Sequence, residues 1–178
     1  GADVVNVGDD NPNTNVFNVG SLEIGSDAYK EALSNLLGDE IDAQEFERVD
    51  DAPITLEVLS VFGPTNSDPV VAFGHYSSGN ANATSELFTV TNDPLVNGQT
   101  LNAVLSGDTA FDPGTASFGF YSRWPFFGNR QLYSEDALNT FNSAIPHHVR
   151  VYELPGEENA YIIATEEHTA GFDYQDIV

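Results

Sequence analysis

The sequence predicts a mainly β domain: an antiparallel β-sandwich or jelly roll with one N-terminal amphipathic helix and short helical turns. Three observations carry this. Beyond about residue 53 apolar residues recur with the two-residue period of strands. The apolar runs are separated by Gly-, Pro-, Asn- and Asp-rich gaps such as GPTNSDP, SSGNANA and SGDTAFDPG. The core material is aromatic and β-branched, with 12 Phe and 7 Tyr but no Met and no Cys.

Taken in order, residues 1–15 are rich in Asp, Asn and Gly and read as a flexible or assembly arm, or as an early strand with a turn. Asp9, Asn11 and Asn13 alternate as in a calcium loop, but Thr14 stands where an EF-hand needs Gly and no Glu closes the loop, which excludes that motif. Residues 16–178 read as a single β-sandwich domain. Its helix is expected over residues 26–37, with Ser26 as N-cap, Asp27 in the first turn and Gly38 as terminator. Ala28, Ala32 and Leu36 form one row beside Tyr29, Leu33 and Leu37, a packing stripe. A shorter helical piece is expected near Asp42–Glu47. Strands are expected over Ile54–Phe62, Pro69–Tyr76, Ser85–Thr91, Leu101–Ser106, Ser117–Ser122, His147–Leu154 and Tyr161–Thr165, with a short turn at Ser134–Phe141. In that turn Ser134-Glu135-Asp136 before Ala137-Leu138 reads as a helix N-terminus. Phe172–Val178 reads as a strand that has barely begun, so the chain is expected to be a piece of a longer one.

The charge balance is the outlier. There are 28 Asp and Glu against 5 Lys and Arg, a formal net charge of -23, and Lys30 is the single lysine. Such a field repels nucleic acid and anionic membrane. Carboxylates without basic partners need salt, solvation or bound cations, so three readings compete: a salty, halophilic or marine exterior, specific divalent sites compatible with it, and a plain solubility surface. The absence of Cys excludes disulfides, thiolate-bound zinc and thiol catalysis. No apolar run approaches the roughly 20 residues of a membrane-spanning helix, so membrane insertion is not expected.

The densest acidic constellation is Glu166, Glu167, His168, Asp173 and Asp176 around Thr169-Ala170-Gly171. Calcium takes six to eight oxygen ligands at ~2.3–2.6 Å, which carboxylates and carbonyls of such a loop supply. In a straight strand Asp173 and Asp176 point to opposite faces, so joint chelation requires a bend near Tyr174–Gln175. The competing reading is a solvated acidic turn. Tyr121, Trp124, Phe126, Phe127 and Tyr133 surround Arg123, and this aromatic run serves either core closure or a stacking platform for sugar rings. His147 and His148 are adjacent at a strand start and face opposite ways, and no HxxxH or HExxH spacing occurs among the four histidines. The Asn82-Ala83-Thr84 sequon is a pattern common by chance. No GxSxG elbow, P-loop or GxGxxG is present. Acids such as Glu57, Glu86 and Glu153 become a glycosidase pair only by geometry.

The stretches SFGFYSRWPFFGNRQLYSEDALNT (117–140), HHVRVYEL (147–154), AYIIATEE (160–167) and FDYQDIV (172–178) resemble a bacterial extracellular domain-of-unknown-function family. Its members are modules of larger secreted or surface proteins, and the resemblance covers about residues 111–178. By that resemblance Glu167 matches the motif acid, and Asp173, Tyr174 and Asp176 match a D-Y-N-D core. Gln175 departs from the usual Asn, and a longer amide moves or removes a ligand. Asn139 falls at the family's turn.

The resulting expectation is a non-catalytic, calcium-supported module of a bacterial secreted or cell-surface protein, serving adhesion, surface assembly or glycan attachment. Glu166, Glu167, Asp173 and Asp176 would hold a structural calcium ion. Tyr121, Arg123, Trp124, Phe126, Phe127 and Tyr133 would meet a ligand. The expected partner is a glycan, another surface component, or copies of the chain itself. The alternatives are a carbohydrate-binding module using the aromatic platform, a self-assembling extracellular subunit, and a polysaccharide hydrolase.

Overall fold

The computed structural model describes residues 3–7, 38–56, 70–92, 103–107, 110–124, 128–142 and 146–166. The helix expected over residues 26–37 lies outside them, as does the strand expected over Ile54–Phe62 beyond Leu56. The described strands are β1 (Asp3–Val7), β2 (Glu40–Ile41), β3 (Ala43–Arg48), β4 (Ile54–Thr55), β5 (Val70–Ser77), β6 (Thr84–Asn92), β7 (Ala103–Gly107), β8 (Ala110–Phe111), β9 (Phe118–Trp124), β10 (Arg130–Tyr133), β11 (Val149–Glu153) and β12 (Tyr161–Thr165). Short 3-10 turns occupy Asp136–Leu138, within the expected turn at Ser134–Phe141, and Thr140–Asn142, which runs one residue past it. No helix of the described residues is long and apolar enough to cross a membrane.

The protein is mainly β. A large sheet runs in the order β1-β3-β9-β5-β6-β7, with β10 beside β9. A smaller sheet runs β12-β11-β2, and β4 pairs β8 as a two-stranded ribbon. The described pairings are antiparallel except that of β1 with β3. One edge of β9 lies along β5, from Ala72↔Arg123 to Ser77↔Phe118. Its other edge is divided between β3, through Phe46↔Phe118, and β10, through Tyr121–Trp124.

The core lies between the sheets. Phe46, Phe73, Phe88, Phe118, Phe120, Trp124 and Leu132 of the large sheet share one buried cluster with Val149 and Val151 of the small sheet and Ile54 and Phe111 of the ribbon. Ile41, Tyr161 and Ile163 pack against it. This is sandwich packing of two sheets on a common layer of side chains. Its rings meet at angles and offsets that suit their quadrupoles: Phe46 and Phe120 edge to face at 5.0 Å, Phe73 and Phe88 stacked at 5.2 Å.

Residues 42–47 correct a sequence expectation. Ala43 and Phe46 are buried and three apart, which imitates a helical stripe. The segment is instead strand β3, because its backbone is needed between β1 and β9 and tertiary pairing overrides a weak local preference. Of the two readings of the N-terminal arm, Asp3–Val7 is strand. β10 was not anticipated. Gly128 and Asn129, at φ 71° and 59°, lead into it in left-handed backbone.

Candidate functional site

β9 is buried along nearly its whole length, on both faces. Alternation puts Phe118, Phe120, Ser122 and Trp124 toward the core and Gly119, Tyr121 and Arg123 on the outer face. The expected ligand set is therefore split. Trp124 is 1% exposed, belongs to the core cluster and donates its indole N–H to the Ser122 hydroxyl at 2.8 Å. That is the core-closure half of the expectation; a ring so covered offers no face to a sugar. Phe126 and Phe127 lie outside the described residues.

On the outer face Tyr121 and Tyr133 join Tyr76 in a second buried cluster, against Ala81 and Leu138. Two glycines make room for it. A Cβ on Gly119 would stand 2.4 Å from the Tyr76 Cζ, and one on Gly74 would stand 2.6 Å from a Tyr121 ring carbon. Because Tyr76 pairs with Gly119 and Gly74 with Tyr121, each tyrosine ring lies across its cross-strand glycine. Burial pushes the Tyr76 phenol well above its ordinary range, and it raises those of Tyr121 and Tyr133 as well.

Beside these rings the outer face turns polar. Arg123 pairs with Glu86 across β5 at 2.8 Å, both side chains being substantially exposed. The Tyr133 hydroxyl donates to the Gln131 side-chain oxygen at 2.7 Å, and Gln131 is the direct cross-strand neighbour of Arg123. Gln131 and Glu86 were both absent from the expected ligand set, Glu86 being named only as one of many acids that geometry alone could pair. The alternation Arg-Gln-Leu-Tyr after Gly128-Asn129 was the available signal for β10.

The turn after β10 is a dense hydrogen-bond node. The buried Ser134 hydroxyl donates to the Gln44 carbonyl at 2.8 Å, receives the Phe120 N–H at 3.1 Å and lies 3.4 Å from the Tyr76 hydroxyl. Ser134 was expected to cap a helix. The 3-10 turn instead starts at Asp136 after Glu135, without a side-chain cap. Asn139 is buried and accepts the Tyr133 N–H at 2.8 Å while its amide donates to the carbonyls of Tyr133 and Pro146. It is the turn-fixing residue expected from its position. The Glu135 carboxylate takes the Gly79 N–H at 2.9 Å and the Ser78 hydroxyl, which also meets Glu45.

The candidate cation region begins at the end of β12. Glu166 is 2% exposed. Its N–H donates to the His148 carbonyl at 2.9 Å, and its carbonyl lies 3.0 Å from His148 Nδ1. A carbonyl can only accept, so Nδ1 carries the proton of that bond. Burial lowers the His148 pKa, with Glu166 opposing that shift. The neighbouring His147 is half-buried and meets Asp136 at 3.1 Å, so the two histidines diverge as expected. Phe141 lies 5.3 Å from the His148 ring and under the Arg130 guanidinium at 4.6 Å. Glu167, Asp173 and Asp176 lie outside the described residues. Among the described residues no three of His, Asp or Glu are grouped to hold a metal ion. No family model, no curated protein and no solved structure matches the chain.

Proposed function

We propose that this chain is a non-catalytic, calcium-supported module of a secreted or cell-surface protein, serving adhesion, surface assembly or glycan attachment. The observation that carries the reading is the placement of Glu166. Its carboxylate is buried at the end of β12 and its backbone is tied to His148. Glu167, Asp173 and Asp176 follow within ten residues. Over the whole chain 28 acidic residues face five Lys and Arg, a net charge of -23, so cations are the general counter-charge of its surface. The resemblance of FDYQDIV to the D-Y-N-D motif of an extracellular family supports the same region and the same location.

In this reading the ion is structural. Glu166, Glu167, Asp173 and Asp176 hold it, and it draws together carboxylates that otherwise repel. Binding to the folded state alone stabilises by about 2.7 kcal/mol at a hundredfold excess over Kd. The test is thermal unfolding of chelator-treated protein. Micromolar to millimolar calcium raises Tm, and sodium chloride at equal ionic strength does not. Equal rescue by sodium replaces the specific site with general screening and overturns the reading.

A further inference from the structure

We infer that the outer face of the large sheet, around Arg123, Glu86, Gln131 and Tyr133, is a binding site for a neutral glycan. This rests on the proposal that the chain is a binding module and names its ligand class and the face that meets it.

The first argument is charge. The chain carries -23, yet the outer-face positions of β5, β9 and β10 hold Arg123 as their one charged residue among those described. Glu86 on β6, paired with Arg123 at 2.8 Å, cancels it. Among the described residues around Arg123 the charges cancel, and the carboxylates of Glu45 and Glu135 gather instead at Ser78, past the end of β5. An anionic polymer is repelled by the surrounding field, while an uncharged one is not.

The second argument is chemistry. Arg123 spends one of its five N–H donors on Glu86, and the rest have no partner among the described residues. Gln131 accepts from the Tyr133 hydroxyl, which fixes its amide and leaves its N–H2 donors without a partner among the described residues. Arg123 and Gln131 stand side by side on paired strands, and on the other side of Arg123 the neighbouring β5 positions 72 and 74 on this face are the small Ala72 and Gly74. Rigid donors and a carboxylate acceptor at strand spacing suit the vicinal hydroxyls of a sugar. A protein partner is a poorer fit. Its interface wants an apolar centre, and here Tyr121 and Tyr133 are only 2% and 9% exposed.

The experiment is affinity electrophoresis of the 178-residue chain with calcium present. The gels contain a mixed-linkage β-glucan, a xylan, a galactomannan or, as the acidic arm, alginate. At least one neutral polysaccharide retards the protein. Arg123→Ala and Gln131→Ala each weaken that retardation tenfold or more. Arg150→Ala, which removes a half-buried arginine beside Glu40 on the small sheet, leaves it unchanged. Circular dichroism confirms that the variants are folded, and Gln131→Ala decides alone if Arg123→Ala is not. No retardation by the neutral panel, retardation by alginate alone, or retardation indifferent to both substitutions overturns the inference. The calcium-dependent Tm is measured on the same samples. A calcium response without glycan binding sinks this site and leaves the module reading standing; glycan binding without a calcium response does the reverse.

Discussion

The ring of Tyr76 lies across Gly119 on the neighbouring strand so closely that a Cβ there would stand 2.4 Å from both its Cζ and its hydroxyl. The same Cβ would stand 2.8 Å from the Ser134 hydroxyl. Gly119 is therefore required for space, and Tyr76 cannot yield because it is 0% exposed and bonded to the turn after β10. Gly119→Ala is expected to destabilise by about 2 kcal/mol or more, as overpacking of a filled site does. Urea unfolding checks this; a variant within 0.5 kcal/mol of the parent, roughly the scatter of neutral surface changes, refutes it.

Asn139 secures the same turn by polar means. Its side chain receives one N–H and donates to two carbonyls while 1% exposed. Asn139→Leu leaves three buried backbone groups without this partner, at about 1–3 kcal/mol each before relaxation. Asn139→Asp keeps the acceptor but turns the two donations into repulsions, so it is expected to be destabilised at pH 7 and partly restored at pH 4. Unfolding at the two pH values checks the crossing.

His75 gives a prediction with a defined sign. Its ring stacks on Phe111 at 4.9 Å and meets Phe118 edge-on at 6.3 Å. Burial lowers its pKa. The folded state then resists the proton that the unfolded chain takes up near pH 6.5. The contribution of His75 is fully present above that pH and is lost as pH falls through its lower folded value. The parent loses stability between pH 7 and pH 5 relative to His75→Phe, and unfolding midpoints of the two proteins across that range measure the difference. Parallel pH profiles contradict it.

Arg48 is one of five basic residues, and its guanidinium reaches the carbonyls of Asp50 and Ala52 and the Asp112 carboxylate. It joins the segment before β4 to the segment after β8, and so holds the ribbon that supplies Ile54 and Phe111 to the core. Arg48→Met removes these bonds and is expected to cost about 1–2 kcal/mol. Hydrogen exchange is expected to quicken at Ile54–Thr55 and Ala110–Phe111 before it does at β5 and β9; uniform change across the sheet argues against a local latch.

Much of the sheet was legible because strands announce themselves by alternation and by their breakers. Tyr161–Thr165 was read with its final boundaries, and Pro69–Tyr76 falls within a residue of Val70–Ser77. β3 was not legible because Ala43 and Phe46, three apart and both buried, carry the spacing of a helix, and only an irregularity in its register with β1, between Asp3↔Ala43 and Val4↔Glu45, departs from regular alternation. The division of the aromatic run was partly available: residues 121 and 124 of one strand must face opposite ways, which separates Tyr121 from Trp124 before any register is known. The partnership of Arg123 with Glu86 and Gln131 was not, because it depends on which strands flank β9 and in what register. The burial of Glu166 was likewise hidden, since an acid at a strand end reads as surface until the His148 segment is seen to close beside it.

The central claim, a specific calcium site led by Glu166, is tested most directly by titrating calcium into chelator-treated protein in a calorimeter, beside Glu166→Gln. The account predicts saturable binding in the parent at near-integral stoichiometry and at least tenfold weaker binding in the variant. Absence of saturable heat in the folded parent, or identical isotherms for the two proteins, contradicts it.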